Sequence, residues 1–255
     1  QFREHRYPHF HGAWNRRPDD SHHSRSNFAR SSDKPQLPGR LARIRDGTSC
    51  LSRRTRRHQR VSGARTFLKL ETAVATKTEW LTAVLSDFDA FLQDHASAEK
   101  KASGMALNIA SHYPDQPAIL RAMCDLAVEE LTHYREVVKL LISRGIQPGP
   151  DRRDTYIRAL NQEIRSGSNA FLIDRLLVGA IVEYRGNERF TLVAHAIEDP
   201  KLRRFYENIA ESEARHFELF LKLADLVGGT QNRLDALLEA EARILTNVPL
   251  RAALH

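Results

Sequence analysis

The feature that most constrains the fold of this chain is a glutamate pattern that occurs twice. In each copy, a lone glutamate is followed about thirty residues later by the motif Glu-x-x-His. The two copies consist of Glu99, Glu130 and His133, and of Glu183, Glu213 and His216. Subtraction of the residue numbers gives a separation between the two glutamates of 31 residues in the first copy and 30 in the second. Two helices with a connection fit that spacing, so both copies can face one bundle core.

The residue types in this pattern point to a pair of metal ions. Positions i and i+3 of a helix lie on one face, so the Glu and His of each motif can point at the same metal pair. Carboxylate-bridged di-iron and di-manganese bundles use a Glu from each of two helices and Glu-x-x-His from the other two. Imidazole and carboxylate suit iron, and the sequence has no cluster of cysteines for a zinc or iron–sulfur site. The repeated pattern therefore predicts a two-metal centre.

Helical phase decides between two competing carboxylates in the second copy. Glu188 lies five residues after Glu183, which places it about 140° further around the helix axis. Glu183 belongs to the apolar run LLVGAIVEY, where an unpaired carboxylate would be costly to bury, whereas Glu188 lies between Asn187 and Arg189. We predict that Glu183 is the metal ligand and that Glu188 forms an ion pair with a neighbouring arginine.

Three polar residues next to the predicted ligands are candidates for an outer shell. Ligating histidines usually donate their free ring N–H to a carboxylate, a carbonyl or water. Glu129 and Ser212 occupy equivalent places, one residue before the glutamate of each Glu-x-x-His motif. We predict that Glu129 approaches His216 and that Ser212 lies near His133. His95, one turn before the first lone glutamate, is either a contact of that ligand or an ordinary polar residue.

The charge distribution divides the chain into two domains. Residues 1–65 contain 16 Lys and Arg against 5 Asp and Glu, which leaves 23 and 27 for residues 66–255. The first segment lacks sustained apolar periodicity and is rich in Arg, Ser, His and Pro, so we predict a disordered basic arm. Three explanations for the arm remain open: a nucleic-acid-binding tail, a targeting peptide, or sequence upstream of the natural product.

Residues 66–255 show helical periodicity throughout. The predicted helices span about residues 78–107, 118–143, 155–165, 171–197, 200–227 and 231–246. The helix count and the ligand placement predict an all-α, ferritin-like four-helix bundle with additional short helices. Cys50 and Cys124 give no basis for a structural disulfide, and no run of 18 apolar residues is present. We therefore expect a cytoplasmic protein that does not enter a membrane.

Four strings of the sequence resemble the tRNA hydroxylase family called MiaE, and the resemblance covers nearly all of residues 66–255. The strings are FLQDHASAEKKASGMAL, DLAVEELTHYREVVKLLISRGI, DRLLVGAIVEYRGNERF and FYENIAESEARHFELFLKLA. That family hydroxylates the isopentenyl group of 2-methylthio-isopentenyl-adenosine in tRNA, beside the anticodon. The resemblance implies that the six residues of the repeated pattern bind two iron ions. Ser97 and Asn187 stand where cysteine is usual in the family, which bears on substrate handling and not on metal binding.

The resemblance also implies a co-substrate and partners. The expected reaction is a monooxygenation that consumes O2. The electrons come from a separate reductase or ferredoxin, since no Gly-rich nicotinamide-binding turn is visible. Phosphate contacts with tRNA are expected from local basic residues. The candidates are Lys100, Lys101, Arg144, Arg152, Arg153, Arg185 and Arg189. A ferritin-like di-iron oxidase that acts on another substrate, and a ferroxidase, remain as alternatives.

Overall fold

The computed structural model describes residues 73–255, and this part of the chain folds into seven α-helices. They are α1 (Thr78–Ser86), α2 (Phe88–His112), α3 (Pro117–Ser143), α4 (Thr155–Gln162), α5 (Ser168–Ala196), α6 (Pro200–Leu226) and α7 (Gln231–Asn247). The disordered basic arm predicted for residues 1–65 lies outside the described residues. The predicted helix bounds from α3 onward agree with the structure to within a few residues.

The first predicted helix is wrong in one respect, because residues 78–107 do not form a single helix. The chain leaves the helical conformation at Asp87, where φ is −142° and ψ is 67°. The Asp87 side chain accepts a hydrogen bond of 3.2 Å from the backbone N–H of Ala90 and thereby caps α2. Aspartate competes with helix continuation through such bonds, so the chain forms two helices with a break between them.

The four long helices form the bundle. α2 packs along α3, α5 packs along α6, and α3 also touches α6. Two apolar clusters fill the interior, and each takes residues from all four long helices. The first cluster includes Ala106, Met123, Leu176 and Phe220. The second cluster includes Phe91, Val137, Phe190 and Tyr206.

The order of these residues along each helix shows how the bundle is wound and where its polar centre lies. α2 and α6 run from the second cluster to the first, whereas α3 and α5 run in the opposite direction. On every long helix, the members of the repeated Glu and Glu-x-x-His pattern fall between the two clusters. The bundle therefore places all six predicted ligands in one layer, with packed apolar side chains above and below it.

The shorter helices and the chain's last residues cover the outside of α2 and α5. Trp80 Nε1 donates to the carbonyl of Ala253 over 2.9 Å, and the backbone N–H of Leu254 donates to Asp94 Oδ2 over 2.8 Å. None of the described helices is both long and apolar enough to cross a bilayer. The predicted all-α, ferritin-like four-helix bundle with additional short helices is confirmed.

Candidate metal centre

The six residues of the repeated pattern meet in the layer between the apolar clusters. α2 supplies one of them, α3 two, α5 one and α6 two. In that order they are Glu99, Glu130, His133, Glu183, Glu213 and His216. Five of them are buried, and the side chain of His133 is 12% exposed. Four carboxyl groups this deep in a bundle would be costly without a compensating partner.

The six residues form two overlapping groups, each with potential ligand atoms within 4.8 Å of one another. The first group is Glu99, Glu130, His133 and Glu213, and the second is Glu130, Glu183, Glu213 and His216. Glu130 and Glu213 belong to both groups. This arrangement could hold two cations, with two carboxylates between them and one further Glu and one His for each.

Several atoms of the cluster point inward without a hydrogen-bond partner. Nδ1 of His216 lies 2.8 Å from Glu130 Oε1 and 3.6 Å from Glu183 Oε2. Nδ1 of His133 lies 3.6 Å from Glu99 Oε2. Four buried atoms of the cluster have no partner with hydrogen-bond geometry: Glu130 Oε1, His133 Nδ1, Glu213 Oε1 and His216 Nδ1. Buried polar atoms are normally satisfied, and a cation would satisfy all four, so the residues fit a metal pair.

The crowding of carboxylates shifts their pKa values in opposite directions. Burial, together with the charge of Glu99, raises the pKa of Glu130 to about 8. Burial and the charge of Glu183 raise the pKa of Glu213 well above its usual range. Burial also acts to raise the pKa of Glu99, but the adjacent His133 imidazole and the hydrogen bond with His95 outweigh burial and lower that pKa. Like charges in a dry layer cannot all ionise, so the metal-free cluster retains protons.

The two histidines of the cluster are held in their charged form when no metal is bound. Burial acts to lower the pKa of His133, but the adjacent carboxylates of Glu130 and Glu99 raise it to about 9. Burial acts in the same direction on His216, and the adjacent carboxylates of Glu130 and Glu183 raise its pKa to about 11. Both imidazoles must lose a proton before Nδ1 can bind a metal ion.

Metal binding near neutral pH is therefore expected to release protons, at least one from each of the two histidines. Both pKa values lie above neutrality, so the metal-free imidazoles are protonated there and the bound ones are not. Lowering the pH should weaken binding for the same reason. Titration calorimetry with ferrous iron in buffers of different ionisation enthalpy measures the release. Binding heats that do not depend on the buffer would contradict it.

Outside the cluster, His216 has a carboxylate partner on its second ring nitrogen. Nε2 of His216 lies 3.2 Å from Glu129 Oε2, which is the approach predicted from the sequence. Ser212 donates to Glu129 Oε1 over 2.6 Å and lies 3.5 Å from His216, although the sequence placed it near His133. Ser212 is one turn before His216 on α6, so its side chain shares that histidine's face. Arg215 also donates to Glu129, over 2.7 Å.

His95 contacts a member of the cluster directly. Its Nε2 lies 2.6 Å from Glu99 Oε1, and the side chain is fully buried. The Tyr206 hydroxyl lies 3.4 Å from His95 Nδ1, and the ring of Phe190 packs at 4.5 Å between centroids. Of the two interpretations left open by the sequence, the contact with the neighbouring glutamate is the one observed.

Glu188 points away from the cluster, as its helical phase requires. It forms the predicted ion pair with Arg185. It also accepts hydrogen bonds from Thr76, of 2.7 Å from the backbone N–H and 2.6 Å from the hydroxyl. These contacts connect α5 to the chain that precedes α1 and leave Glu183 as the carboxylate that α5 contributes to the cluster.

The prediction that Arg185 and Arg189 bind RNA is wrong, because both side chains are buried. Arg185 donates from Nε to Glu241 Oε1 over 3.0 Å, and Tyr156 donates to the same carboxylate oxygen over 2.7 Å. Arg189 donates to the carbonyl of Leu254. Their face of α5 is covered by α4, α7 and the last residues of the chain, so neither guanidinium can reach a phosphate.

The other predicted RNA-binding residues are exposed, and four of them lie together. Lys100 pairs with Asp151 over 2.8 Å, and Lys101 donates to the carbonyl of Arg152 over 2.8 Å. The exposed side chains of Arg152 and Arg153 follow on the same loop. We call Lys100, Lys101, Arg152 and Arg153 the basic patch. Arg144, also exposed, pairs with Asp89 over 2.7 Å.

The two positions that differ from the usual family pattern make structural contacts. Ser97 donates to Asp151 Oδ1 over 2.8 Å, and this bond connects α2 to the loop that carries Arg152. Asn187 donates to the carbonyl of Ala210 over 2.7 Å and connects α5 to α6. Gly186, which sequence reasoning missed, faces Glu213. An isolated glycine inside a helical pattern was the available signal.

Comparison with known sequences gives one family and two relatives. The family model described as tRNA-(MS[2]IO[6]A)-hydroxylase (MiaE) matches residues 59–255. A Pseudomonas putida protein named tRNA 2-(methylsulfanyl)-N(6)-isopentenyladenosine(37) hydroxylase is 38% identical over 154 residues, which cover 60% of this chain and 74% of the relative. A Salmonella typhimurium protein of the same name is 32% identical over 109 residues, which cover 43% of this chain and 40% of the relative.

Comparison with solved structures gives a relative with a different described activity. It is described as protein 43 with aldehyde deformylating oxygenase activity from Synechococcus. The TM-score is 0.65 at 33% sequence identity, and the match covers 71% of this chain and 91% of that chain. The two proteins thus share the helical architecture over most of the part that the structure describes.

Proposed function

The chain belongs to the MiaE family of tRNA hydroxylases, and on that premise we propose that it is an O2-dependent di-iron monooxygenase. Its substrate is the isopentenyl group of 2-methylthio-isopentenyl-adenosine, next to the anticodon of tRNA. The observation that carries this proposal is the buried pair of overlapping Glu and His groups. A protein that only bound RNA would have no use for four glutamates and two histidines in its core.

The proposed ligands divide into two terminal pairs and two shared carboxylates. Glu99 and His133 would help to hold one iron, and Glu183 and His216 would help to hold the other. The shared carboxylates are Glu130 and Glu213. Two ferrous ions held there would supply the activation of O2 and the oxidation of a C–H bond, which the side chains of the protein cannot perform.

The surrounding residues fix the geometry of this centre and keep water away from it. Glu129 Oε2 lies 3.2 Å from the outer nitrogen of His216, Nε2, and favours the ring orientation that would leave Nδ1 for the metal. His95, whose Nε2 lies 2.6 Å from Glu99 Oε1, holds that carboxylate in place. The apolar clusters above and below the layer exclude solvent, which protects a reactive centre from side reactions. Electrons come from an external reductase or ferredoxin.

The basic patch supports tRNA binding close to the proposed centre. Ser97 bonds the patch-bearing loop to α2 only two residues before Glu99. Asp151 neutralises Lys100, so the cations of the patch that carry unbalanced charge are Lys101, Arg152 and Arg153. Arginine is suited to phosphate because its planar fork can donate two parallel hydrogen bonds. We propose that this patch holds the RNA backbone while the modified base enters the bundle.

Replacing Arg152 and Arg153 with alanine is expected to weaken tRNA binding and to reduce its salt dependence. The slope of log affinity against log salt is negative, and each lost phosphate contact makes it shallower by roughly 0.7–0.9. The slope of the double variant should therefore be shallower by about 1.5, and its metal content should be unchanged. Filter binding of tRNA over a salt series measures both effects. The control is Arg204→Ala on α6, an exposed arginine outside the basic patch that pairs with Glu207, and an equal loss in that variant would contradict the patch.

The direct test of the proposed function is the nucleoside content of tRNA. Cells with the protein should contain hydroxylated 2-methylthio-isopentenyl-adenosine, and cells without it should contain the unhydroxylated form. Purified protein with iron, O2, a reductant and tRNA from the deficient cells should restore the hydroxyl group. Absence of the hydroxylated nucleoside under those conditions, with two irons bound per chain, rejects this substrate.

A second candidate is oxygenation of an aldehyde, which the activity described for the structural relative favours. It requires the same metal centre but no tRNA, so the basic patch separates the two functions. Turnover of an aliphatic aldehyde that is unaffected by loss of Arg152 and Arg153 would favour it. A ferroxidase would instead oxidise ferrous iron rapidly and accumulate a mineral core in the absence of either substrate.

A further inference from the structure

Gly186 lies on α5, three residues after Glu183, and faces the cluster from the α5 side. A Cβ atom at this position would lie 2.8 Å from Glu213 Oε2, 3.5 Å from its Cδ and 3.6 Å from its Cγ. Ordinary contacts of a Cβ atom begin at about 3.4 Å. The carboxylate of Glu213 therefore occupies the space that any side chain at residue 186 would need.

We propose that Gly186 is a positioning residue of the metal centre, because its missing side chain leaves the space in which the Glu213 carboxylate lies within the cluster. This inference rests on the proposed two-metal function. Glu213 belongs to both groups of potential ligands, so its displacement affects both metal ions and not only one.

The identity of residue 186 is not explained by helix stability. Glycine inside a helix is less favourable than alanine, since it loses more backbone freedom on folding. The equivalent position of the first copy, three residues after Glu99, is Ala102. A methyl group is therefore compatible with the bundle at that place in one half. On α5 the same methyl group would meet a ligand from the facing helix.

The contact predicts separate effects on folding and on metal binding. The atom that a new Cβ would meet is the far end of a flexible side chain, so Glu213 can rotate away without disturbing the backbone. In the metal-free protein, Gly186→Ala should thus leave the melting temperature unchanged or raise it. A Glu213 carboxylate that has rotated away from the cluster should bind metal less well, so the substitution should lower metal affinity.

The chain offers two matched glycine-to-alanine controls on the same bundle. A Cβ at Gly179, seven residues earlier on the same face of α5, would lie 2.7 Å from Cε1 of the Phe220 ring. A packed ring cannot move aside as a carboxylate can, so Gly179→Ala should lower the melting temperature. A Cβ at the exposed Gly104 would meet nothing within 4 Å. Gly104→Ala should raise the melting temperature by about 2–4 °C.

The experiment measures cobalt(II) binding and thermal unfolding of the wild-type protein and the three full-length variants. Cobalt(II) is a redox-stable substitute for ferrous iron, and its absorption bands report the coordination geometry. We expect Gly186→Ala to bind cobalt about 10–100-fold more weakly with altered bands, as losses of ligand support commonly do. We expect Gly104→Ala to bind it as the wild type does, and Gly179→Ala to retain the wild-type bands despite its lower melting temperature.

The outcomes separate this inference from the proposed function. Wild-type cobalt affinity and bands in Gly186→Ala overturn the positioning role and leave the two-metal centre intact. A fall in metal-free melting temperature in Gly186→Ala as large as that in Gly179→Ala also overturns it, since residue 186 would then act through packing. A wild-type protein that binds no cobalt pair overturns the metal centre itself, and with it both proposals.

Discussion

Glu183→Gln is expected to abolish hydroxylation while leaving the bundle folded. The substitution keeps the side-chain volume but removes one of four anionic ligands, so metal affinity should fall by more than about 100-fold, beyond the range seen for outer-shell changes. The metal-free protein should become more stable, because burial and the charge of Glu183 together raise the pKa of Glu213. Metal analysis, nucleoside analysis and thermal unfolding without metal measure the three effects.

The matched control for this substitution is Glu188→Gln, five residues further along α5. Glu188 pairs with Arg185 and Thr76 outside the cluster, so its variant should keep its iron and lose stability. The two variants thus predict opposite results for metal content and for metal-free stability. Loss of iron from Glu188→Gln with retention in Glu183→Gln would show that the ligand on α5 has been assigned to the wrong carboxylate.

Arg185→Ala is expected to lower the free energy of unfolding by about 3–5 kcal/mol, the usual consequence of removing one partner of a buried ion pair. Arg185 is fully buried and lies 3.0 Å from the buried carboxylate of Glu241, with Glu188 as its second partner. Its removal leaves Glu241 with the Tyr156 hydroxyl as its hydrogen-bond donor. Urea unfolding of the metal-free protein measures the loss.

Arg204→Ala provides the comparison on the surface of α6. Arg204 is 68% exposed, and its pair with Glu207 measures 3.4 Å. Exposed ion pairs contribute little, so the free energy of unfolding should change by less than about 1 kcal/mol. Equal losses in the two variants, or a reduced salt dependence of tRNA binding in Arg185→Ala, would be inconsistent with a structural role for Arg185.

The sequence predicted which six Glu and His side chains come together, because helical geometry links spacing to direction. Residues three apart share a face, and residues five apart do not, so Glu183 could be chosen over Glu188 without coordinates. Glu129 was predicted to approach His216 because it holds the same place in its motif as Ser212, and it lies 3.2 Å from that histidine. The repeated pattern then required both halves to face the same core.

Periodicity was less informative about the ends and the outside of the helices. The break at Asp87 depends on one capping hydrogen bond, which competes with an otherwise continuous apolar pattern. Ser212 contacts Glu129 and His216 because α3 and α6 touch at that height, and no sequence spacing encodes that approach.

The sequence by itself determined that this chain forms a helical bundle with two matching sets of Glu and His residues in its core, since local periodicity and spacing fix which residues share a face. Only the tertiary structure decided which of the remaining faces reach solvent. Arg185 and Arg189 are of a residue type that usually lies on the surface, but they are buried under α4, α7 and the last residues of the chain. Likewise, only the tertiary structure shows that Glu213 from the facing helix fills the space beside Gly186. Both depend on contacts between segments distant in sequence, and the period of one helix does not identify the element that packs against it.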